Sequence, residues 1–126
     1  MSFDVKPLAG GFGREICGLD MAHGIDPATA AALKATWLAH GVLLFRGLGM
    51  TNEQQIRFGQ TLGTPRHEHG TDITKVSSDK KASPIFAEYT KGTFFFHFDD
   101  TYMQYPALAS VLLARTVAPR GGQTEF

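Results

Sequence analysis

Alternation of apolar and polar residues predicts two short strands at the start of the chain. Residues 3–6 alternate between the two classes, and Pro7 then interrupts the pattern. A glycine-rich turn at residues 10–13 leads into a second predicted strand at residues 14–20. We expect these strands to pair as a hairpin. The glycines have neither the dinucleotide-binding spacing nor the Gly-Lys-Ser/Thr ending of a phosphate loop.

A first helix is predicted from Pro27 to about His40. Asp26 is a favourable N-cap residue, Pro27 suits the first helical position, and Gly41 suits the left-handed position after the helix. Apolar residues spaced three and four apart predict one inward stripe. That stripe consists of Ala30, Leu33 and Trp37.

A buried strand and a second helix are predicted next. Residues 42–45 form an apolar run between glycines, which is typical of a strand buried on both faces. Thr51 and Gln54 have the spacing of a capping box, so a helix should begin there and continue to about Leu62. Phe58 and Leu62 should share its inward face.

Beyond residue 65 the pattern predicts a long loop and then several strands. The polar stretch 66–83 predicts an irregular loop with one short strand at residues 73–76. Further strands are predicted at residues 85–89, 94–99 and 107–117, with Lys91-Gly92 as a hairpin turn and the start of another strand at residues 123–126. Two helices followed by short strands predict an α+β fold, with an antiparallel sandwich and helices packed outside it.

Composition limits the class of protein. At 126 residues the chain is at most one domain, and 43% hydrophobic with 19% charged residues indicates a folded globular protein. Twelve basic residues balance twelve acidic ones, so no nucleic-acid partner is expected. The apolar runs are too short to span a membrane, and no signal peptide is visible. Cys17 is the single cysteine, which fits a reducing cytoplasm.

The main candidate for chemistry is the triplet His97-Phe98-Asp99. On an extended strand, alternate side chains point to the same face, so His97 and Asp99 could converge on one metal ion. Composition alone predicts roughly 0.3 such His-x-Asp triplets by chance. The triplet therefore becomes informative only together with its surroundings.

A second candidate is His67-x-His69 in the long loop. These histidines could bind a metal ion, or they could be solvated side chains beside Arg66 and Glu68. One enzyme class compatible with the residues is a zinc-dependent hydrolase. Its site would combine four side chains: His67, His69, His97 and Asp99.

The order of several elements resembles a known family. The elements are the first helix, the segment 42–47, the Thr51-capped helix, Phe96–Asp99, the strand at 107–118 and the segment 121–126. In this order they resemble the amino-terminal half of the taurine/2,4-dichlorophenoxyacetate dioxygenase family, over residues 3 to 126. The resemblance implies a double-stranded β-helix (jelly roll) with flanking helices. Residues 1–126 would then be the amino-terminal part of a single dioxygenase domain.

The resemblance also implies cofactors and residue roles. Members of the family use Fe(II), 2-oxoglutarate and O2, and they hydroxylate small, acidic organic substrates with release of succinate and CO2. By resemblance, His97 and Asp99 would bind the iron, and Thr124 would hydrogen-bond the 2-oxoglutarate carboxylate. His67 or His69 would contact an acidic group of the substrate. The sequence does not show which of these two histidines makes the contact.

The chain departs from the family pattern in several places. Phe96 stands where tryptophan is common, and Gln123 replaces the aspartate of the usual Gly-Gly-Asp-Thr. The family's second metal histidine and its 2-oxoglutarate-anchoring arginine belong to a later half, so only His97 and Asp99 are assigned here. The alternative is a truncated, non-catalytic half-domain. Its exposed apolar strand edges would favour homo-oligomers.

Overall fold

The structure, a computed structural model, describes residues 3–66, 72–77, 79–81, 87, 92 and 95–126. The chain divides into two units, Met1–Pro65 and Arg66–Phe126. Five elements lie in the first unit: strands β1 (Asp4–Pro7), β2 (Arg14–Cys17) and β3 (Leu43–Leu44), and helices α1 (Pro27–His40) and α2 (Asn52–Leu62). At the level of class, this unit is α+β.

The three strands form one mixed sheet in the order β1-β2-β3. β1 and β2 pair antiparallel with Val5 opposite Ile16, which confirms the predicted hairpin. β2 and β3 pair parallel, with Arg14 opposite Leu43. Gly13 has a φ of 78°, and a Cβ atom there would lie 3.2 Å from the carbonyl oxygen of Val42. The turn therefore requires glycine both for its backbone conformation and for its close approach to the chain before β3.

The boundaries of α1 agree with the prediction because both ends are determined by local hydrogen bonds. The Asp26 carboxylate accepts from the backbone N–H groups of Ala28 and Thr29, at 2.9 and 3.0 Å. At the other end, Gly41 has a φ of 76° and donates its N–H to the Trp37 carbonyl at 2.7 Å. Leu33 is fully buried. Ala30 and Trp37, predicted for the same stripe, are half-buried.

The predicted capping box of α2 is confirmed. The Gln54 backbone N–H donates to the Thr51 hydroxyl at 3.2 Å, and the Thr51 N–H donates to the Gln54 side chain at 2.9 Å. The Phe58 side chain is buried and meets Phe45 edge-to-face, with ring centroids 5.3 Å apart. Leu62 is half-buried. Among the described residues, no helix combines the length and the apolar character that crossing a membrane requires.

One prediction for the first unit is wrong. Residues 42–45 were expected to form a strand buried on both faces, but β3 covers only Leu43 and Leu44, and both are half-buried. The physical reason is the position of β3 at the edge of a small sheet. In the part of the chain that the structure describes, β3 pairs with β2 alone. Burial on both faces requires layers above and below a central strand.

Several strand predictions for the second unit are also wrong. The described residues at 73–76, 95–99, 107–117 and 123–126 have no strand conformation, and the antiparallel sandwich is not seen among the described residues. The predicted strand at 85–89 lies outside the described residues except for Ala87. An apolar pattern indicates which residues tend to be buried. A strand also needs a neighbouring strand with which its backbone can form hydrogen bonds. Many of the apolar side chains here are exposed, including Phe96, Phe98, Leu112 and Val117 at 74–86%.

The charge on Asp26 should make the stability of α1 depend on pH. The hydroxyl of Thr29, together with the N–H groups of Thr29 and Ala28, donates to the carboxylate and holds the pKa of Asp26 below its ordinary value of 3.8. Because the folded pKa is lowered, this stabilisation is present above pH 3.8 and is lost as the pH falls through the folded pKa.

We therefore expect Asp26→Asn, which keeps an acceptor at the cap, to melt below the wild type at neutral pH. The difference should shrink below pH 3.8. Asp26→Ala, which removes the acceptor, should melt lower still at neutral pH. Circular dichroism melts across this pH range measure both effects. A difference between wild type and Asp26→Asn that is unchanged in strong acid would contradict the role of the charge.

Candidate metal centre

His97 and Asp99 lie in an irregular segment of the second unit, and their side chains meet. The Nε2 atom of His97 is 3.3 Å from Oδ1 of Asp99. On the other side of the ring, Nδ1 is 2.8 Å from the backbone carbonyl oxygen of Phe95. A carbonyl oxygen only accepts hydrogen bonds, so Nδ1 carries a proton and donates it. Nε2 is thereby directed at the carboxylate.

The pair fits two adjacent positions on one metal ion. Without a cation between them, the lone pairs of Nε2 and Oδ1 would repel each other, so either a proton or a metal ion has to lie there. With metal–ligand bonds of about 2.1 Å, two ligands at right angles are separated by about 3.0 Å, close to the observed contact. The side chains are 47% and 65% exposed, so solvent reaches both donors. The carbonyl contact at Nδ1 is the usual support for a metal-binding histidine.

A turn follows these two residues directly along the chain. Asp100 has a φ of 58°, in the left-handed region that aspartate tolerates better than most residues. Its carbonyl accepts from the N–H of Met103 at 2.9 Å, which closes the turn. The side chains of His97 and Asp99 are in contact, although residues 95–99 do not form the strand that was predicted for them. The turn redirects the backbone immediately after Asp99.

Two contacts of Arg66 support that turn, and the sequence interpretation missed both. Nη1 of Arg66 donates to Oδ2 of Asp100 at 2.7 Å, and Nη2 donates to the carbonyl of Tyr105 at 2.7 Å. The side chains of Arg66 and Asp100 are 34% and 16% exposed. They are 34 positions apart in the sequence, so no local pattern pairs them. The sequence contains one signal for such a contact, the Asp99-Asp100 doublet. A second carboxylate beside a candidate metal ligand needs a cationic partner of its own.

Of the other predicted site residues, Thr124 lies in the described part of the chain. Thr124 lies in the exposed segment 121–126, and no hydrogen bond from it to His97 or Asp99 is observed. His67 and His69 lie outside the described residues, so their predicted contact with substrate stays a prediction. The same holds for the four-ligand zinc site. Among the described residues, no group of three or more His, Cys, Asp or Glu side chains could hold a metal ion.

Comparison with known proteins identifies the family. The model of the Taurine catabolism dioxygenase TauD, TfdA family matches residues 4–126, which is nearly the whole chain. The chain belongs to this family. The resemblance found in the order of the sequence elements is thereby confirmed. It extends from β1, through both helices and the segment with His97 and Asp99, to the final residues.

Two relatives within the family are (S)-phenoxypropionate/alpha-ketoglutarate-dioxygenases. The protein from Sphingobium herbicidovorans is 33% identical over 99% of this chain and 45% of its own length. The protein from Delftia acidovorans is 30% identical over 99% of this chain and 46% of its own length. This TauD/TfdA chain therefore spans slightly less than half the length of these relatives.

A solved structure shows the same fold. The crystal structure of AAD-2 in complex with Mn(II) and N-oxalylglycine superimposes with a TM-score of 0.66 over 85% of this chain and 36% of that chain. Sequence identity is 22%, so the likeness concerns the fold alone. The backbone of this TauD/TfdA chain thus follows a path found in a larger protein. The strands of a complete jelly roll are not present among the described residues.

The geometry predicts where a divalent metal ion binds. Mn(II), which accepts nitrogen and oxygen ligands, should broaden the NMR signals of residues 96–100 before those of α1 and α2. His97→Ala should remove this selective broadening because Nε2 is lost. His40→Ala, which replaces a histidine at the end of α1, serves as the control and should leave the broadening unchanged. Broadening that persists in His97→Ala would place the ion elsewhere.

Proposed function

We propose that this chain is the amino-terminal part of an Fe(II)- and 2-oxoglutarate-dependent dioxygenase that hydroxylates a small, acidic organic substrate. The single observation that supports it most is the 3.3 Å contact between Nε2 of His97 and Oδ1 of Asp99. This pair occurs in a chain that matches the TauD, TfdA family over residues 4–126. An imidazole and a carboxylate are two of the three ligands in the facial triad of non-haem iron oxygenases.

Each of the two residues has one role in this proposal. His97 and Asp99 bind the iron through Nε2 and a carboxylate oxygen, and neither acts as a general acid or base. The Phe95 carbonyl, at 2.8 Å from Nδ1, holds the imidazole in the orientation that presents Nε2. When bound, the iron supplies the activation of O2 that couples decarboxylation of 2-oxoglutarate, to succinate and CO2, with hydroxylation of a substrate carbon.

Binding of the cosubstrate involves Thr124 in this proposal. Its hydroxyl is exposed, so it can donate a hydrogen bond to a carboxylate of 2-oxoglutarate. The third metal ligand and an arginine for the distal carboxylate are proposed to come from sequence equivalent to the part of the relatives that this chain does not cover. The names of both relatives, which include alpha-ketoglutarate, support the cosubstrate.

The proposed substrate class is a small organic acid. Both relatives are named for phenoxypropionate, which carries a carboxylate. A substrate of this kind needs a cationic or hydrogen-bonding partner, and His67 or His69 is proposed for that contact. Location in the cytoplasm and association into homo-oligomers are predictions that accompany this proposal.

The proposed fold is the amino-terminal portion of a jelly roll, with residues 1–126 belonging to one domain. The fold likeness to AAD-2 supports this, since it extends over 85% of the chain. The exposed apolar side chains at residues 95–126 also support it. Side chains of this type are normally covered by neighbouring strands. In the proposed domain, strands of the later half supply that cover.

A second candidate is a non-catalytic half-domain. It is favoured by one observation, namely that the metal-binding pair found among the described residues has two members. Two monodentate ligands bind a divalent ion more weakly than the three ligands of a facial triad. The two candidates predict different iron affinities and iron-dependent turnover for the 126-residue chain and the full-length protein.

Asp99→Ala should abolish turnover in the full-length protein. The wild type should consume 2-oxoglutarate only when Fe(II) is present, and loss of the carboxylate ligand should reduce consumption to the background without enzyme. Asp79→Ala, at an exposed aspartate of the same unit, is the matched control and should retain wild-type turnover. Succinate formation measured by chromatography gives the readout. Unchanged turnover in Asp99→Ala would disprove the assignment of this ligand.

The 126-residue chain alone should bind Fe(II) no more tightly than micromolar, because it offers His97 and Asp99 without a third ligand among the described residues. Anaerobic calorimetry measures this affinity directly. The full-length protein, measured in parallel, should bind at least tenfold more tightly, by a rough estimate from one additional ligand. Equal affinities would favour the half-domain as the complete binding unit.

A further inference from the structure

The Asp99 side chain has little support of its own. It is 65% exposed, and among the described residues its carboxylate contacts His97, the other ligand of the pair. An exposed carboxylate with this little support would rotate freely if the main chain beneath it moved. The contacts of the next residue, Asp100, therefore restrain the backbone on the carboxyl-terminal side of Asp99.

Asp100 has a backbone conformation that requires support. A φ of 58° is uncommon for a residue with a side chain, and it persists when surrounding contacts stabilise it. Two groups of Asp100 have such contacts. Its carbonyl accepts from Met103 at 2.9 Å, and its carboxylate accepts from Arg66 at 2.7 Å.

The Arg66 guanidinium contacts both ends of the turn. One nitrogen donates to the Asp100 carboxylate, and another donates to the Tyr105 carbonyl, each at 2.7 Å. A guanidinium is planar and rigid, so these two contacts fix the separation of Asp100 and Tyr105. The Asp100 carboxylate is 16% exposed, which limits screening of the ion pair by water.

We propose that Arg66 is a positioning residue for the metal-binding pair. By holding the Asp100 carboxylate it restrains the backbone next to Asp99 and so keeps the Asp99 carboxylate beside Nε2 of His97. This inference rests on the proposed function, because it takes His97 and Asp99 as metal ligands. It adds a residue that contacts neither the ion nor a ligand side chain.

Positioning and simple electrostatics predict opposite effects of removing Arg66. Arg66→Ala leaves the Asp100 charge unpaired next to the metal ligands, and an extra negative charge attracts a cation. Electrostatics alone therefore predicts tighter metal binding in Arg66→Ala. Positioning predicts weaker binding, because the turn loses the contact that holds Asp100, the neighbour of the Asp99 ligand, in place.

The experiment measures Mn(II) affinity of the full-length protein by calorimetry. We expect Arg66→Ala to raise the dissociation constant about tenfold, the lower end of the range for residues that support metal ligands. Arg66→Lys keeps the charge but has one nitrogen and cannot fix both contacts, so its affinity should be intermediate. Arg46→Ala is the matched control. Arg46 is also ion-paired, with Glu15 at 3.5 Å in the first unit, and its loss should leave the affinity unchanged.

A double variant separates the two explanations further. Arg66→Ala combined with Asp100→Asn has the same net charge as the wild type, and asparagine tolerates the left-handed conformation. If Arg66 positions the ligand, the double variant should bind Mn(II) as weakly as Arg66→Ala. If the pair acts only through its charges, the double variant should regain wild-type affinity, which would overturn the inference.

The outcomes also separate this inference from the proposed function. If His97→Ala binds Mn(II) as tightly as the wild type, the metal assignment itself is wrong. If His97→Ala loses binding but Arg66→Ala binds equally or more tightly than the wild type, only the role of Arg66 is wrong. Melting curves accompany each variant. If both Arg66→Ala and Arg66→Lys are unfolded, Arg66 is required for the fold and the positioning role is overturned.

Discussion

The contact between Nε2 of His97 and Oδ1 of Asp99 determines what this chain can do chemically. Nε2 and Oδ1 are 3.3 Å apart, a distance at which the two atoms can share a proton or a metal ion. The backbone supports the pair on both sides. The Phe95 carbonyl contacts the far side of the imidazole, and the turn at Asp100 follows Asp99. Because the two side chains are already close together, less conformational entropy is lost when a metal ion binds.

The helices could be predicted from the sequence because their determinants are local. The Asp26 cap and the Thr51–Gln54 capping box each join residues at most three positions apart, so their signals are contained in a short stretch. Gly41, which ends α1, acts through its own backbone angle. The same locality made His97 and Asp99 identifiable, since they are only two positions apart in the sequence.

The contacts that could not be predicted join distant parts of the chain. Arg66 and Asp100 are separated by 34 positions, and nothing in either neighbourhood specifies the other. The prediction of a strand at 107–117 was wrong for a related reason. An apolar run does not specify the strand with which its backbone pairs. Its side chains instead contribute to an exposed apolar surface in the second unit. Local patterns thus identified the ligands and the caps, but not the side chain that supports the turn.

The contact between Gly41 and Phe12 has a consequence for the evolution of the first unit. A Cβ atom at position 41 would lie 3.0 Å from Cζ of Phe12, and the backbone there has a φ of 76°. A new side chain at this position would meet both a steric and a conformational penalty. Phe12 is 56% exposed, so its ring can move aside, and the positive φ combined with a ψ of −44° is the stricter constraint. Position 41 should therefore remain glycine across homologous sequences, whichever residue occupies position 12.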